Sequence, residues 1–311
     1  MIKANNNRHV FFLLTMVVFL WGVNVVSIKY LTNFFPPLAL APIRLCLASG
    51  LLLPIVFRRY GFQKLSSTEW LLVSTIAMFC IFLHQIALNL GLAATSGMHA
   101  VLILGLNPLV TTVLAGYLLK ETFTWMKGLA IVLGFSGLLL VVSGSSQSGA
   151  TLVGDGITFI ATITFVIGSL FVKKATLSLS PLIVTAYSHG IGSIGLLILG
   201  LFINPVWSYT GSFSFWPIAI LLFSSFMSTA VGALWWNTGI QQVGASTASL
   251  FQNGAPIVGI LASAFFLGEE LSWYHLAALI LVLLGVILGT GVIDLPVRLI
   301  SLKNRLLALF C

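Results

Sequence analysis

The sequence predicts an all-α polytopic membrane protein, with ten transmembrane helices arranged as two inverted five-helix repeats. Three observations carry this. Of 311 residues, 59% are apolar and only 6% charged, where a soluble domain carries about 25% charged residues; mean hydropathy is +1.12. Apolar runs of the roughly 20 residues needed to cross a bilayer recur near 9–28, 38–57, 69–92, 95–119, 124–142, 154–173, 181–203, 216–240, 245–267 and 273–292. Finally, a shift of 148 residues lays the second half of the chain on the first. So few charges cannot cover a water-soluble fold of this length. Composition therefore excludes a cytosolic enzyme, a nucleic-acid binder, a disordered chain and a secreted disulfide scaffold.

The elements follow in order. Span one begins behind Lys3 and Arg8 and runs past Leu20 without a small-residue cleavage site, so it reads as an uncleaved anchor. Phe35-Pro36-Pro37 separates it from span two, which ends at Arg58-Arg59-Tyr60-Gly61. Spans three and four meet in a tight connection around Thr95. Lys120-Glu121-Thr122 and Gly144-Ser145-Ser146 bracket span five, and Lys173-Lys174 closes span six. Gly268-Glu269-Glu270 separates spans nine and ten. The loops leave no room for a soluble domain. After Asp294-Leu295-Pro296 comes a short tail with Arg298 and Arg305 among leucines, which suits either a helix lying on an anionic leaflet or an ordinary cytoplasmic tail. Cys46, Cys80 and Cys311 show no pairing or metal-ligand spacing and are expected as free thiols.

Orientation comes from the loop cations. With the N-terminus in the cytoplasm, Lys3, Arg8, Arg58, Arg59, Lys64, Lys120, Lys127, Lys173, Lys174, Arg298, Lys303 and Arg305 fall inside, and Lys29 alone outside. This supports an even number of spans, both termini cytoplasmic, and a multi-pass protein of the cytoplasmic (inner) membrane. It also accounts for most of the +8 net charge without an acidic partner. The expected partners are the lipid bilayer and a small-molecule substrate, with no nucleic acid; monomer and homodimer stay open.

Under the 148-residue shift Asn89 meets Asn237, Gly91 meets Gly239, Pro108 meets Pro256, Glu121 meets Glu269, Trp125 meets Trp273 and Gly137 meets Gly285. A shift of 144 pairs Lys29 with Lys173 and Pro37-Leu38 with Pro181-Leu182. The expected domains are a first repeat, 1–148, an inverted second repeat, 149–292, and a basic tail, 293–311. Five spans per copy is an odd number, so the second copy enters the membrane from the opposite side. Such repeats build many alternating-access transporters, because two upside-down halves have two near-equivalent packings.

The chain resembles the EamA-type family of the drug/metabolite transporter superfamily. The residues that carry the resemblance are Trp21-Gly22, Pro42 with Arg44, Asn107-Pro108 through Glu121, Ala255-Pro256 through Gly268-Glu269, and the small-residue closing helices with Gly134, Gly137 and Gly285. It covers nearly the whole chain. It implies a ten-helix metabolite carrier, often an exporter, and no particular substrate.

Polar side chains inside spans are costly and usually face a cavity or a partner. Counted along the spans, Asn24, Arg44, Gln85 and Asn89 fall in the outer half, with His84 and His99 near them, and Asn107 near mid-depth. Asn237, Gln252, Asn253, Trp236 and Ser169 fall in the inner half, with Tyr187 and His189 between. Two polar vestibules meeting at the midplane are therefore expected. Arg44 is the one charge well inside a span. It could draw a carboxylate or phosphate into a low-dielectric cavity, or brace helix ends by donating to carbonyls. The family pattern has a basic residue here in many members, which favours a shared structural or gating role. Gln85 and Asn89, four apart, share one helix face. His99 is expected at the interface; Trp235-Trp236 could stack a substrate or sit in the cytoplasmic aromatic belt, and the belt is the preferred reading. Pro108 and Pro256 lie mid-span, where proline breaks the helix ladder, and symmetric breaks near the midplane mark substrate sites in this class.

No catalytic residue, metal site or cofactor is expected. Glu69, Glu121, Asp155, Glu269, Glu270 and Asp294 all fall at span ends, which disfavours the embedded acid of proton-coupled cation exporters. The expected function is a secondary transporter of a small metabolite, an amino acid or related zwitterion or anion; export as its direction follows from the resemblance only. The expected contacts are Asn24, Arg44, Gln85, Asn89, Asn107, Tyr187, His189, Asn237, Gln252 and Asn253, with Pro108 and Pro256 as hinges. Alternatives are a polytopic membrane enzyme, or a drug-efflux carrier or uptake permease of the same fold.

Overall fold

A computed structural model of the chain describes residues 8–119, 125–143, 150–203 and 214–289. Every regular element among them is helical. The helices are α1 (Arg8–Leu31), α2 (Pro37–Tyr60), α3 (Ser67–Ala94), α4 in two segments (Gly97–Leu104 and Asn107–Leu119), α5 (Trp125–Ser143), α6 (Leu152–Ala175), α7 (Pro181–Ile203), α8 (Phe215–Val243), α9 in two segments (Ala245–Phe251 and Ala255–Leu267) and α10 (Trp273–Gly289). Eight spans are long and apolar enough to cross a membrane; the apolar stretches of α5 and α10, Gly128–Leu140 and Trp273–Leu288, are shorter. The expected ten-helix membrane fold is what the chain adopts. The sequence breaks at Lys120-Glu121-Thr122 and Gly144-Ser145-Ser146, and the tail 293–311, lie outside the described residues.

Local chemistry sets the helix ends. Pro36 and Pro37 open α2, whose first turn needs no proline N–H. Ser66 and Glu69 form a capping box at α3: Glu69 N–H donates to Ser66 Oγ at 3.3 Å, and Ser66 N–H to the Glu69 carboxylate at 2.9 Å. Ser96 and Thr151 cap α4 and α6 by accepting from His99 N–H and Gly154 N–H. The tight connection expected near Thr95 is real, two residues between α3 and α4.

Successive spans alternate in direction, which gives the bundle two ends. Arg8, Arg58, Arg59, Lys64, Lys173 and Lys174 gather at one, here the basic end. Lys29, Asp155, Glu269 and Glu270 lie at the other, the acidic end.

Packing follows the internal repeat. α2 packs on α7 and α5 on α10, each against its own counterpart. α1 packs on α8 and α9, as α6 packs on α3 and α4. The α5–α10 contact needs its glycines: a Cβ on Gly285 would sit 2.8 Å from the Ala130 carbonyl oxygen. The irregularities repeat as well. α3 widens to a π-helix over Ala77–Leu83 and α8 over Phe223–Val231; the 148-residue shift carries the first inside the second. α4 breaks at a turn over 105–106 and α9 at a 3-10 turn, Gln252–Gly254, again at matching places. Pro108 and Pro256 each stand second in the segment that follows the break, where a missing N–H costs least.

Candidate functional site

A central cavity of about 1100 Å³, which includes space open to solvent, runs between α1–α4 and α6–α9. α5 and α10 contribute nothing to its lining. Seven expected site residues face it: Asn24, Arg44, Gln85, Asn107, His189, Asn237 and Gln252.

Arg44 organises one wall. Its side chain is fully buried. Nε donates to Ser224 Oγ at 2.7 Å, Nη2 to Thr229 Oγ1 at 2.9 Å and Nη1 to Gln85 Oε1 at 3.4 Å. Ser224 in turn donates to Asn24 Oδ1 at 2.6 Å. Every acceptor is neutral, and among the described residues no carboxylate lies within salt-bridge distance of the guanidinium. Ser224 and Thr229 both belong to the π-segment of α8. That widened turn brings both hydroxyls to one cation; Thr229 Oγ1 also donates to the Ser224 carbonyl. Three of the five guanidinium N–H donors are thus engaged, leaving capacity for an incoming oxygen. A buried charge without an opposite charge is costly and favours any anion that reaches it.

Aromatic rings form a second wall. Trp21 and Trp236 lie 5.2 Å apart, Trp21 and Phe165 5.6 Å edge to face, and His84 lies 5.2 Å from Phe165. Trp21 Nε1 donates to the Ser228 carbonyl at 3.1 Å, again on the α8 π-segment. Trp236 is only 4% exposed, so it does not sit in the interfacial belt expected of it. Its indole faces the cavity, since α8 turns that side inward against α1 and α6.

Polar atoms on the cavity lack protein partners among the described residues: Trp236 Nε1, Gln252 Nε2 and Asn107 Oδ1. A ligand, or water, is what would satisfy them. His189 uses Nδ1 on the Thr185 carbonyl at 2.8 Å, and Asn237 donates to Thr185 Oγ1 at 2.8 Å.

Three expected residues do not face the cavity. Asn89 is buried behind Gln85, donating to its carbonyl at 2.7 Å and to its Oε1 at 3.3 Å, so it holds Gln85 in place. Tyr187 turns toward α3 and stacks on Trp70 at 5.8 Å; one residue of helix rotates it about 100° from Ser188. Asn253 lies in the 3-10 turn, outside the cavity lining. His99, expected at the interface, is wholly buried, with its Nδ1 3.2 Å from Asp155 Oδ2. Cavity residues the sequence did not single out as site residues include Phe165, Ser188, Ser228 and Thr229. Each is one ordinary residue in a long apolar run. Trp21 had a signal only through the family pattern.

Comparison with known proteins agrees with this architecture. The EamA-like transporter family matches twice, over residues 9–143 and 152–290. The uncharacterized transporter YyaM of Bacillus subtilis is 36% identical over 86% of this chain and 89% of its own length. An uncharacterized transporter of Archaeoglobus fulgidus is 28% identical over 88% and 95%. One solved structure superposes with a TM-score of 0.65 over 92% of this chain and 99% of its own, at 14% identity, a likeness of fold alone. The chain is a multi-pass membrane protein and belongs to the EamA-like transporter family.

Proposed function

We propose that the chain is a secondary carrier for a small anion or zwitterion, an amino acid or related metabolite, moved across the cytoplasmic membrane by alternating access, with export as its direction. The single observation behind this reading is Arg44: a buried cation on a central cavity, held by hydroxyl and amide oxygens with no acid beside it. A carboxylate entering there exchanges water for a fixed guanidinium in a low-dielectric site. Asn24, Gln85, Asn107, His189, Asn237 and Gln252 would supply its remaining hydrogen bonds, and Trp21, Phe165 and Trp236 its apolar contacts. The two α4 and α9 breaks, at matching places in the repeat, would serve as hinges. The twelve-to-one bias of loop cations supports a cytoplasmic basic end and cytoplasmic termini.

Thermal unfolding of the purified protein against a panel of amino acids and organic anions tests the cargo. A true ligand at 100 times its Kd stabilises by about 2.7 kcal/mol. Arg44→Gln is expected to abolish that shift and the saturable flux in proteoliposomes while the protein still inserts. A stabilising cation, or full flux without Arg44, would overturn the anion assignment.

A further inference from the structure

A second cluster of ionisable groups lies apart from the cavity, at the acidic end. The Glu269 carboxylate, in the loop before α10, accepts from Gly97 N–H at 2.6 Å and Met98 N–H at 2.8 Å. These are the first amides of α4, where the helix dipole favours an anion. Gly97 makes the approach possible: a Cβ there would sit 2.5 Å from Ser263 Oγ and 3.2 Å from Glu269 Oε1. Just beyond, His99 Nδ1 meets Asp155 Oδ2 at 3.2 Å, and Thr95 Oγ1 donates to Asp155. Asp155 is on α6. The two acids thus come from the second family-matched segment and grip the α3–α4 connection of the first.

We propose that this cluster is a proton-binding latch: Glu269 and Asp155, ionised, hold the acidic end shut, and protons from the solution at that end release it. The inference rests on the carrier reading, because only a carrier must part the two segments here. α4 carries the cavity residues Val101 and Leu104 just beyond the latch, so opening this mouth pulls Gly97 and His99 away from both acids. A carboxylate stripped of its N–H donors beside an apolar cavity is costly, and taking up one proton removes that cost. The parted state therefore binds more protons than the closed one, and acid favours parting. The surrounding groups set the strength. Lys29 lies close enough to attract the Glu269 carboxylate. The His275 ring lies 5.7 Å from that of His99. Tyr274 covers His275 at 4.2 Å, and Glu270 stays exposed in the same loop. Among the described residues the cavity lining holds no carboxylate of its own, and these two acids sit where its mouth would part.

The test uses whole cells and a membrane-impermeant methanethiosulfonate. The background carries Cys46→Ser, Cys80→Ser and Cys311→Ser; Val25→Cys reports from the cavity wall of α1 and Leu271→Cys from the acidic-end loop. Lowering the outside from about pH 7.5 to about pH 5 is expected to speed Val25→Cys labelling about tenfold relative to Leu271→Cys. Glu269→Gln is expected to label fast at both values, and Asp155→Asn to behave likewise should Glu269→Gln fail to fold. Labelling of Val25→Cys that ignores pH, or a folded Glu269→Gln as slow as the parent, overturns the latch and leaves the carrier standing. Protection of Val25→Cys from reagent on both sides of the membrane, at every pH, overturns carrier and latch together.

Discussion

The two connections that precede the broken helices are counterparts in the repeat, yet they are held by opposite means. At the acidic end, Thr95-Ser96-Gly97 is buried, and two carboxylates satisfy the N–H groups and hydroxyls that open α4. At the basic end, the equivalent Val243-Gly244-Ala245 offers no hydroxyl and is only half-buried. There the hold is on carbonyls: Lys173 Nζ donates to Gln241 O at 3.0 Å, and Gln241 Nε2 to Thr176 O at 3.1 Å. Anions sit on a helix N-terminus at one end and a cation on a helix C-terminus at the other, each where the helix dipole favours it. One fold, duplicated and inverted, has thus acquired two differently charged closures.

The sharpest way to break this contrast is Asp155→Ala, which takes the carboxylate away from the buried His99 ring and the Thr95 hydroxyl. A loss of about 3–5 kcal/mol is expected, read as a lower melting temperature in detergent, while Lys173→Ala at the other end costs about 1 kcal/mol or less. Gly97→Ala comes next. It pushes a methyl into Ser263 and Glu269, for about 1–3 kcal/mol, whereas Ala245→Gly, the reverse exchange at the mirrored position, costs about 1 kcal/mol. Gly244→Ala acts through the backbone alone. Gly244 has φ 88° and ψ 161°, a region essentially reserved for glycine that costs a side chain about 1–3 kcal/mol, with no atom near enough to clash. If Gly97→Ala proved as mild as Ala245→Gly, the acidic-end connection would be looser than its hydrogen bonds say.

Much of the fold was legible. Pro36-Pro37, Arg58-Arg59 and Thr95 each marked a true helix end, and the shift that pairs Asn89 with Asn237 also aligns the π-segments and the helix breaks. The contrast between Thr95-Ser96-Gly97 and Val243-Gly244-Ala245 was in plain view, but its meaning was not. Position along a span gives a residue's height in the bilayer, not the direction its side chain points. By height alone Tyr187 and His189 looked equivalent, yet one faces Trp70 and the other the cavity. Trp236 and His99 were misplaced for a related reason: nearness to a span end reads as interface unless the partner across the bundle is known. Phe165 and Asp155 are those partners, and both lie on α6, far away in sequence.

The sequence by itself determined that the solvent is lipid, how many helices cross it, that the halves repeat, and which polar atoms would be costly there. Only the tertiary structure decided which way each helix faces. In water a helix shows its buried side as an apolar stripe. In lipid the outward side is as apolar as the inward one, so pattern fixes height and leaves rotation to packing. That rotation puts Arg44 on three neutral oxygens instead of an acid, and gives the two acids nearest the bundle's interior to the far mouth.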